Sequence, residues 1–265
     1  MIKDLQKVFK ILNFKNFSVT KKYCPACDRS RVFLRLNANA ISIRCVTCRS
    51  SVITLALIDV LRDVMPNFRE KSIYELSSRG PFVKFLKDNG VALSCSEYFE
   101  DAKLGELKSG VQSQDVQRLT YDDKIFDVCT SSEVFEHVPN DKQGFSEVYR
   151  VLRKDGVFVF TVPLDLENHT LERALLNSDG DIEHLHEPEY HIDPIREHEP
   201  ILAFRTYGVD IFERLTEAGF ERAEVRFHAH ELPWSDPRPI IVAYKSTADR
   251  QFPEMDSKAF RRVLA

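Results

Sequence analysis

No apolar run in this 265-residue chain is long enough to cross a bilayer; the most apolar stretch, SVITLALIDVL at residues 51–61, is short and broken by Asp59. The opening, MIKDLQKVFKILNF, has no continuous apolar core and makes a poor signal peptide; Ile2, Leu5, Phe9 and Leu12 instead recur as on one face of a helix. A cytoplasmic address is the resulting expectation. An excess of positive charge is also missing. Thirty-seven Lys and Arg stand against 41 Asp and Glu, a net charge of −4, so no overall field draws in a phosphate backbone. An RNA partner would need a local patch, and the one candidate is N-terminal, where Lys15, Lys21, Lys22, Arg29, Arg31, Arg35, Arg44 and Arg49 crowd together. A solvated basic face is the plainer reading of it. With 43% hydrophobic and 29% charged residues nothing suggests disorder, and the length allows one full core plus a small module.

Cysteine is sparse but not scattered. Four of the six form CPAC (Cys24, Cys27) and CVTC (Cys45, Cys48), with seventeen residues between the pairs. Each C-x-x-C turns two sulfurs toward one point, and two such turns complete a tetrahedral four-sulfur shell, which suits zinc. The intervening RVFLRLNANAISIRC alternates apolar and polar residues about a turn-like NANA, the pattern of a zinc-ribbon hairpin. Two disulfides are the alternative, disfavoured in a reducing compartment. A closed shell has no open coordination position, so the expected role is structural. Cys95 and Cys129 fall in apolar runs and read as small buried hydrophobes.

After the ribbon, residues 51–65 read as a helix stopped by Pro66. Strands are expected at 72–76, 91–95, 125–131, 157–162, 224–228 and 239–244, with helices at 81–89, 141–152 and 210–219. Strands alternating with helices imply an α/β, Rossmann-like, doubly wound sheet, mostly parallel, whose ligands bind beyond the carboxyl ends of the strands.

Taken in order, YELSSRGPFVKFL, SCSEYF, SQDVQRLTYDDKIFDVCTSSEVFEHV and EVYRVLRKDGVFVFTVP resemble the class I S-adenosylmethionine-dependent methyltransferases, of the type 11-like kind, over about residues 72–245. The resemblance implies a seven-stranded sheet preceded by the small four-cysteine zinc ribbon. It also implies S-adenosylmethionine as cofactor. Glu75 would hold or hydrate the ammonium of that cofactor, and Glu97 would accept two hydrogen bonds from ribose hydroxyls. Tyr98 or Phe99 would pack on the adenine, whose amino group would donate to Asp115 beside the backbone of Val116. The family's first turn is Gly-rich; here Ser77, Ser78 and Arg79 precede the single Gly80, and Ser77 and Gly80 are the expected contacts. Ser131 and the residues after it would face the reacting methyl. The implied segments are an N-terminal helix (1–20), the ribbon (21–50), a linker helix (51–71), the methyltransferase domain (72–245) and a tail (246–265).

SSEVFEHV places Glu133, Glu136 and His137 at that end of the sheet. Three roles stay open: ligands of a second divalent ion, as related E-x-x-E-H groups serve in some methyltransferases; a general base at His137; or helix-end packing, with EVFEH starting a helix. The connection 163–208 is long enough to close over a site, and it carries five of the eight histidines: His169, His184, His186, His191 and His198. It is read as a substrate lid in which His191 reaches His137, as base or as last metal ligand; imidazoles solvating an irregular loop are the alternative. The catalytic candidates are therefore His137, His191 and Glu133. PEYH-x-DP with FTVPL resembles methyltransferases of bacterial glycans and secondary metabolites, which implies a hydroxyl on a sugar or small molecule. The alternatives are an rRNA methyltransferase whose ribbon grips RNA, opposed by net charge and by SSEV in place of an N-P-P-Y-type motif, and an inactive fold serving as a zinc-ribbon binding module.

Overall fold

The computed structural model describes residues 15–192, 200–228, 230–233 and 237–248. Most of the segment expected as an N-terminal helix, most of the tail, and Asp193 and His198 of the long connection lie outside the described residues; the described part of the first segment is strand from Ser18. Strands β1 (Ser18–Cys24), β2 (Arg29–Arg35) and β3 (Arg44–Cys45) make an antiparallel sheet in that order, with Phe33 opposite Cys45. This is the hairpin that the alternation about NANA predicts.

Helix α1 (Val52–Val64) follows, its first turn capped by the Ser51 hydroxyl, which accepts from the Thr54 N–H. Its buried residues run without a break from Leu55 to Leu61, because it is covered on two sides. Leu55, Leu57, Ile58 and Leu61 share one core with Phe33, Ile43, Cys24 and Cys45 of the ribbon and with Ile73, Val128, Val157 and Val242 of the main sheet. Buried Asp59 adds a polar link by accepting from the His230 backbone N–H at 3.0 Å and facing its Nδ1 at 2.7 Å, while Tyr23 stacks on that imidazole at 4.4 Å.

The main sheet is built from β4 (Ser72–Glu75), α2 (Pro81–Asp88), β5 (Ala92–Glu97), β6 (Leu107–Lys108), β7 (Val111–Ser113), β8 (Phe126–Ser132), α3 (Asp141–Val151) and β9 (Leu152–Thr161). An insertion then holds β10 (Leu171–Glu172), β11 (Ala174–Leu176), β12 (Ile182–His184), β13 (Glu189–Ile192), β14 (Pro200–Ala203) and β15 (Arg205–Thr206). Helix α4 (Ile211–Glu217), β16 (Arg222–Phe227) and β17 (Pro239–Tyr244) close the fold. The strand order is β16-β17-β9-β8-β4-β5-β7-β6, with β9, β8, β4, β5 and β7 parallel and β17 antiparallel to both neighbours. The sheet therefore has eight strands where seven were expected; the eighth is the two-residue edge strand β6, too short to register as periodicity. The second face packs Phe135, Phe145, Phe158, Phe160, Ile211 and Leu215 into a separate core.

The expected lid is not an irregular loop. It folds as three two-stranded antiparallel pairs, β10 with β15, β11 with β12 and β13 with β14.

Candidate active site

A cavity of about 1120 Å³ opens at the carboxyl ends of β4, β5 and β8 and takes residues from the ribbon, the sheet and the insertion. The turn between β4 and α2 forms one wall. Among its residues only Gly80 has a left-handed φ, +103°, and a Cβ there would meet nothing within 4 Å. The turn thus requires glycine once, for conformation and not for space, which explains how Ser77, Ser78 and Arg79 fit in a turn that is Gly-rich elsewhere. Ser78 has a further use: its N–H and hydroxyl donate to Oε1 of Glu97 at 2.8 and 2.9 Å, fixing that carboxylate at the end of β5. Asp115 is held by Gln117, whose backbone N–H and side-chain amide donate to Oδ1 at 2.9 and 3.1 Å. Ser77, Gly80, Glu97, Tyr98, Asp115 and Val116, the residues that the resemblance implies for the cofactor, all line the cavity.

Two expected contacts lie elsewhere. Glu75 is buried inside the sheet, not on the cavity wall; the Thr130 hydroxyl donates to Oε2, and burial pushes its carboxyl up to about 8. Ser131 is fully buried with its hydroxyl unpartnered, while the next residue, Ser132, lines the cavity. Alternation along a strand sends neighbours to opposite faces, and the sequence reading chose the wrong one of the pair.

Beyond β8 the chain turns sharply. Glu133 takes a left-handed φ of +53° and its N–H donates to the Thr161 carbonyl at 3.0 Å, ending the ladder with β9. EVFEH then makes one 3-10 turn, Phe135–His137, rather than the start of a helix; α3 begins only at Asp141. Phe135 anchors the turn by stacking on Phe145 at 4.4 Å. The buried Arg205 guanidinium donates to the carbonyls of Val138 and Pro139, and the Phe204 N–H donates to the Glu136 carbonyl at 2.7 Å. The insertion is thereby fastened to the turn that carries Glu136 and His137.

This docking sets the side-chain geometry. His137 donates from Nδ1 to the Leu202 carbonyl at 2.8 Å, which leaves the Nε2 lone pair available, 3.7 Å from Oε1 of Glu136. His191, opposite Ile201 in the β13–β14 pair, brings Nδ1 within 3.7 Å of the same oxygen, and its Nε2 lies 3.1 Å from Oε1 of Glu189. Glu136 is fully buried and neither carboxylate oxygen has a hydrogen-bond partner among the described residues. One ligating atom from each of Glu136, His137 and His191 falls within 4.8 Å of the others, an arrangement suited to a divalent cation. The orientation of each imidazole by a carbonyl or carboxylate on its other nitrogen is what such ligands need. Glu133 lines the cavity but does not join this group; burial, with Glu136 second, raises its carboxyl to about 7. The Glu136 carboxylate 3.7 Å away outweighs burial at His191 and, with Glu189, raises it to about 9. Of the other lid histidines, His184 and His186 are exposed and outside the cavity lining, and His169 lies near Asp210.

Cys24, Cys27, Cys45 and Cys48 offer four sulfurs within 4.8 Å of one another, and Sγ of Cys24 and Cys48 are 3.7 Å apart. A tetrahedral zinc with bonds of about 2.3 Å spaces its sulfurs by roughly 3.8 Å, so the cluster fits that ion. Hydrogen bonding between Cys24 and Cys48 is the main cause that lowers Cys48.

Sequence reasoning did not single out Arg205, Glu189 or the Leu202 carbonyl. Arg205 carries no motif signal, because its partners are backbone carbonyls, and a main-chain group is invisible in composition.

Residues 79–160 match the family model described as a methyltransferase domain. Sarcosine/dimethylglycine N-methyltransferase of Halorhodospira halochloris is 31% identical over 115 residues, covering 43% of this chain and 34% of that protein, so the chain spans about a third of the length of this curated relative. Among solved structures, an S-adenosylmethionine dependent methyltransferase from Mesorhizobium loti aligns at TM-score 0.42 and 17% identity, over 70% of this chain and 95% of that one. The 1,6-didemethyltoxoflavin-N1-methyltransferase of Burkholderia thailandensis, solved with 1,6-didemethyltoxoflavin and S-adenosylhomocysteine, aligns at TM-score 0.43 and 14% identity, over 71% and 75%. Residues 79–160, the part that matches the methyltransferase-domain model, lie on a Rossmann-like, mostly parallel sheet. No helix among the described residues is long and apolar enough to cross a membrane.

Proposed function

We propose that the protein transfers a methyl group from S-adenosylmethionine to a hydroxyl of a small-molecule or sugar acceptor. The observation that carries this reading is that a single cavity is lined both by a pinned carboxylate, Glu97, at the end of β5 and by the imidazoles of His137 and His191 beyond the end of β8. S-adenosylmethionine supplies a methyl already activated on a sulfonium. Oε2 of Glu97 accepts from the ribose hydroxyls while Ser78 keeps Oε1 in place, Asp115 and the Val116 backbone contact the adenine, and Tyr98 packs on it. Ser77 and Gly80 lie along the remainder of the cofactor.

At the acceptor end His137 takes the hydroxyl proton at Nε2, since Nδ1–H is committed to the Leu202 carbonyl. Glu136 beside it stabilises the imidazolium that forms. His191, raised to about 9, is itself protonated at neutral pH and serves to orient Glu136 rather than as the base. Glu133, close to half-ionised near pH 7, hydrogen-bonds the acceptor.

A second reading is favoured by the convergence of Glu136, His137 and His191: these residues hold a divalent cation that lowers the pKa of the acceptor hydroxyl. An amine acceptor, as the name of the curated relative suggests, is the competing acceptor class. The structural ion is zinc, held by the four cysteines.

Calorimetry with S-adenosylhomocysteine tests the core of the proposal. Binding at one site supports it, and no binding retires the enzyme in favour of an inactive scaffold. Metal content after dialysis separates the two acceptor-end readings, one retained zinc against one zinc plus an exchangeable ion. Salt-sensitive retention on RNA would move the acceptor class to RNA.

A further inference from the structure

The ribbon contributes directly to the ligand cavity. Arg44, just before Cys45, and Arg49, just after Cys48, both line it, alongside Ser51 and Thr54 of α1 and Arg79 of the turn before α2. As sequence, Arg44 and Arg49 belong to a basic face available to RNA; in the fold they belong to the wall of the site. No acidic residue of the ribbon or of α1 lines the cavity, so the part of the wall they build is positive, while the acidic lining, Glu97, Glu100, Asp115 and Glu133, comes from the main sheet and its turns.

The cysteine knuckle sets both arginines. The Arg49 N–H donates to the Cys45 carbonyl at 2.8 Å, as the Asp28 N–H does to Cys24 at 2.9 Å in the first knuckle. Arg49 holds a φ of +63°, in the left-handed region where glycine is the default and a long side chain is strained. Arg44 pairs with Leu34 across the β2–β3 hairpin, and its Nη1 donates to the Ile43 carbonyl at 2.9 Å. Asp28 holds the matching position of the first knuckle at a φ of +55° without lining the cavity, so the left-handed turn belongs to the knuckle and what sets Arg49 apart is its place on the cavity wall.

We propose that Arg44, Arg49 and Arg79 form an anion-recognition end of the cavity that binds a carboxylate or phosphate of its ligand, and that the four-cysteine knuckle is the device that positions two of the three. Guanidinium groups suit either oxyanion through paired N–H donors. The anion has two sources, the amino-acid carboxylate of the sulfonium nucleotide or an acidic group on the acceptor. The first source rests on the methyl-transfer reading; the second does not.

The test uses the full chain with zinc bound, the double variant R44Q/R49Q and the single variant R49G, which places glycine at the left-handed position and is expected to fold. Substituted cobalt reports an intact knuckle through its thiolate charge-transfer band, unchanged in the variants. Three titrants are compared: S-adenosylhomocysteine, 5′-methylthioadenosine, which lacks the carboxylate, and inorganic phosphate read as a rise in melting temperature. If the carboxylate belongs to the cofactor, R44Q/R49Q and R49G weaken S-adenosylhomocysteine by about tenfold or more and leave methylthioadenosine unchanged. If it belongs to the acceptor, both nucleosides bind as before and the phosphate-induced rise disappears. Should the wild-type protein bind neither nucleoside while the phosphate response is lost in the variants, methyl transfer fails and the anion site stands. Equal weakening of both nucleosides, or identical behaviour of wild type and variants with all three titrants, overturns the proposal.

Discussion

Nδ1 of His191 lies 3.7 Å from Oε1 of Glu136, although the two residues belong to different segments joined only by the docking of the insertion on the turn after β8. His191 and His137 meet edge to face there, with ring centroids 5.0 Å apart. Replacing His191 therefore removes an orienting group from the acceptor end while leaving Glu97 and Asp115 untouched. We expect H191A to lower turnover by roughly 10²-fold or more, with S-adenosylhomocysteine affinity changed less than about twofold. Turnover and calorimetry on the same preparation check this, and undiminished turnover eliminates the role.

Glu97 differs in kind, because its carboxylate is already held by two Ser78 donors before any ligand arrives. E97Q keeps the shape but loses the charge that strengthens hydrogen bonds to hydroxyls. Affinity for S-adenosylhomocysteine should fall by roughly one to two orders of magnitude, with the melting temperature of the free protein little changed. Unaltered affinity would mean that the nucleotide does not sit at the end of β5.

The ribbon and the main sheet share a core through α1, and Cys24 and Cys45 are both fully buried in it. C45S should release the structural ion, measured as a fall from one zinc per chain to almost none, and destabilise the protein by several kcal/mol. Because the core is continuous, unfolding of the wild type should follow one cooperative transition. Two separated transitions, or an unperturbed sheet in C45S, would show that the ribbon is an independent unit.

Glu75 gives the protein a pH dependence of known sign. Burial raises its carboxyl from 4.5 to about 8, so the folded state keeps a proton that the unfolded chain has lost over that window. The stability is complete below about pH 4.5 and declines as pH climbs toward 8, by at most roughly 1.4 kcal/mol per unit from this group. E75Q removes the decline, so the melting temperature of the variant should gain on the wild type steadily from pH 5 to pH 8. A constant difference between the two across that range contradicts the buried-carboxyl account.

Local pattern led to the grouping of the four cysteines, the hairpin between its halves and the alternation of strands and helices, while the family resemblance pointed to Ser77, Gly80, Glu97, Tyr98, Asp115 and Val116, which line the cavity. These are short-range features: sulfur spacing, period-two and helical hydrophobicity, and the strand end that precedes each turn. Tertiary structure decided the remainder. It joined Glu136 to the His137–His191 pair that the sequence already suggested, left Glu133 out of that group, buried Glu75 and Ser131 away from the cavity, and put Arg44 and the exposed Arg49 on its lining. Each outcome depends on how an element docks, through Arg205 on backbone carbonyls or α1 between two sheets, and docking joins atoms whose separation along the chain leaves no periodic trace in the sequence.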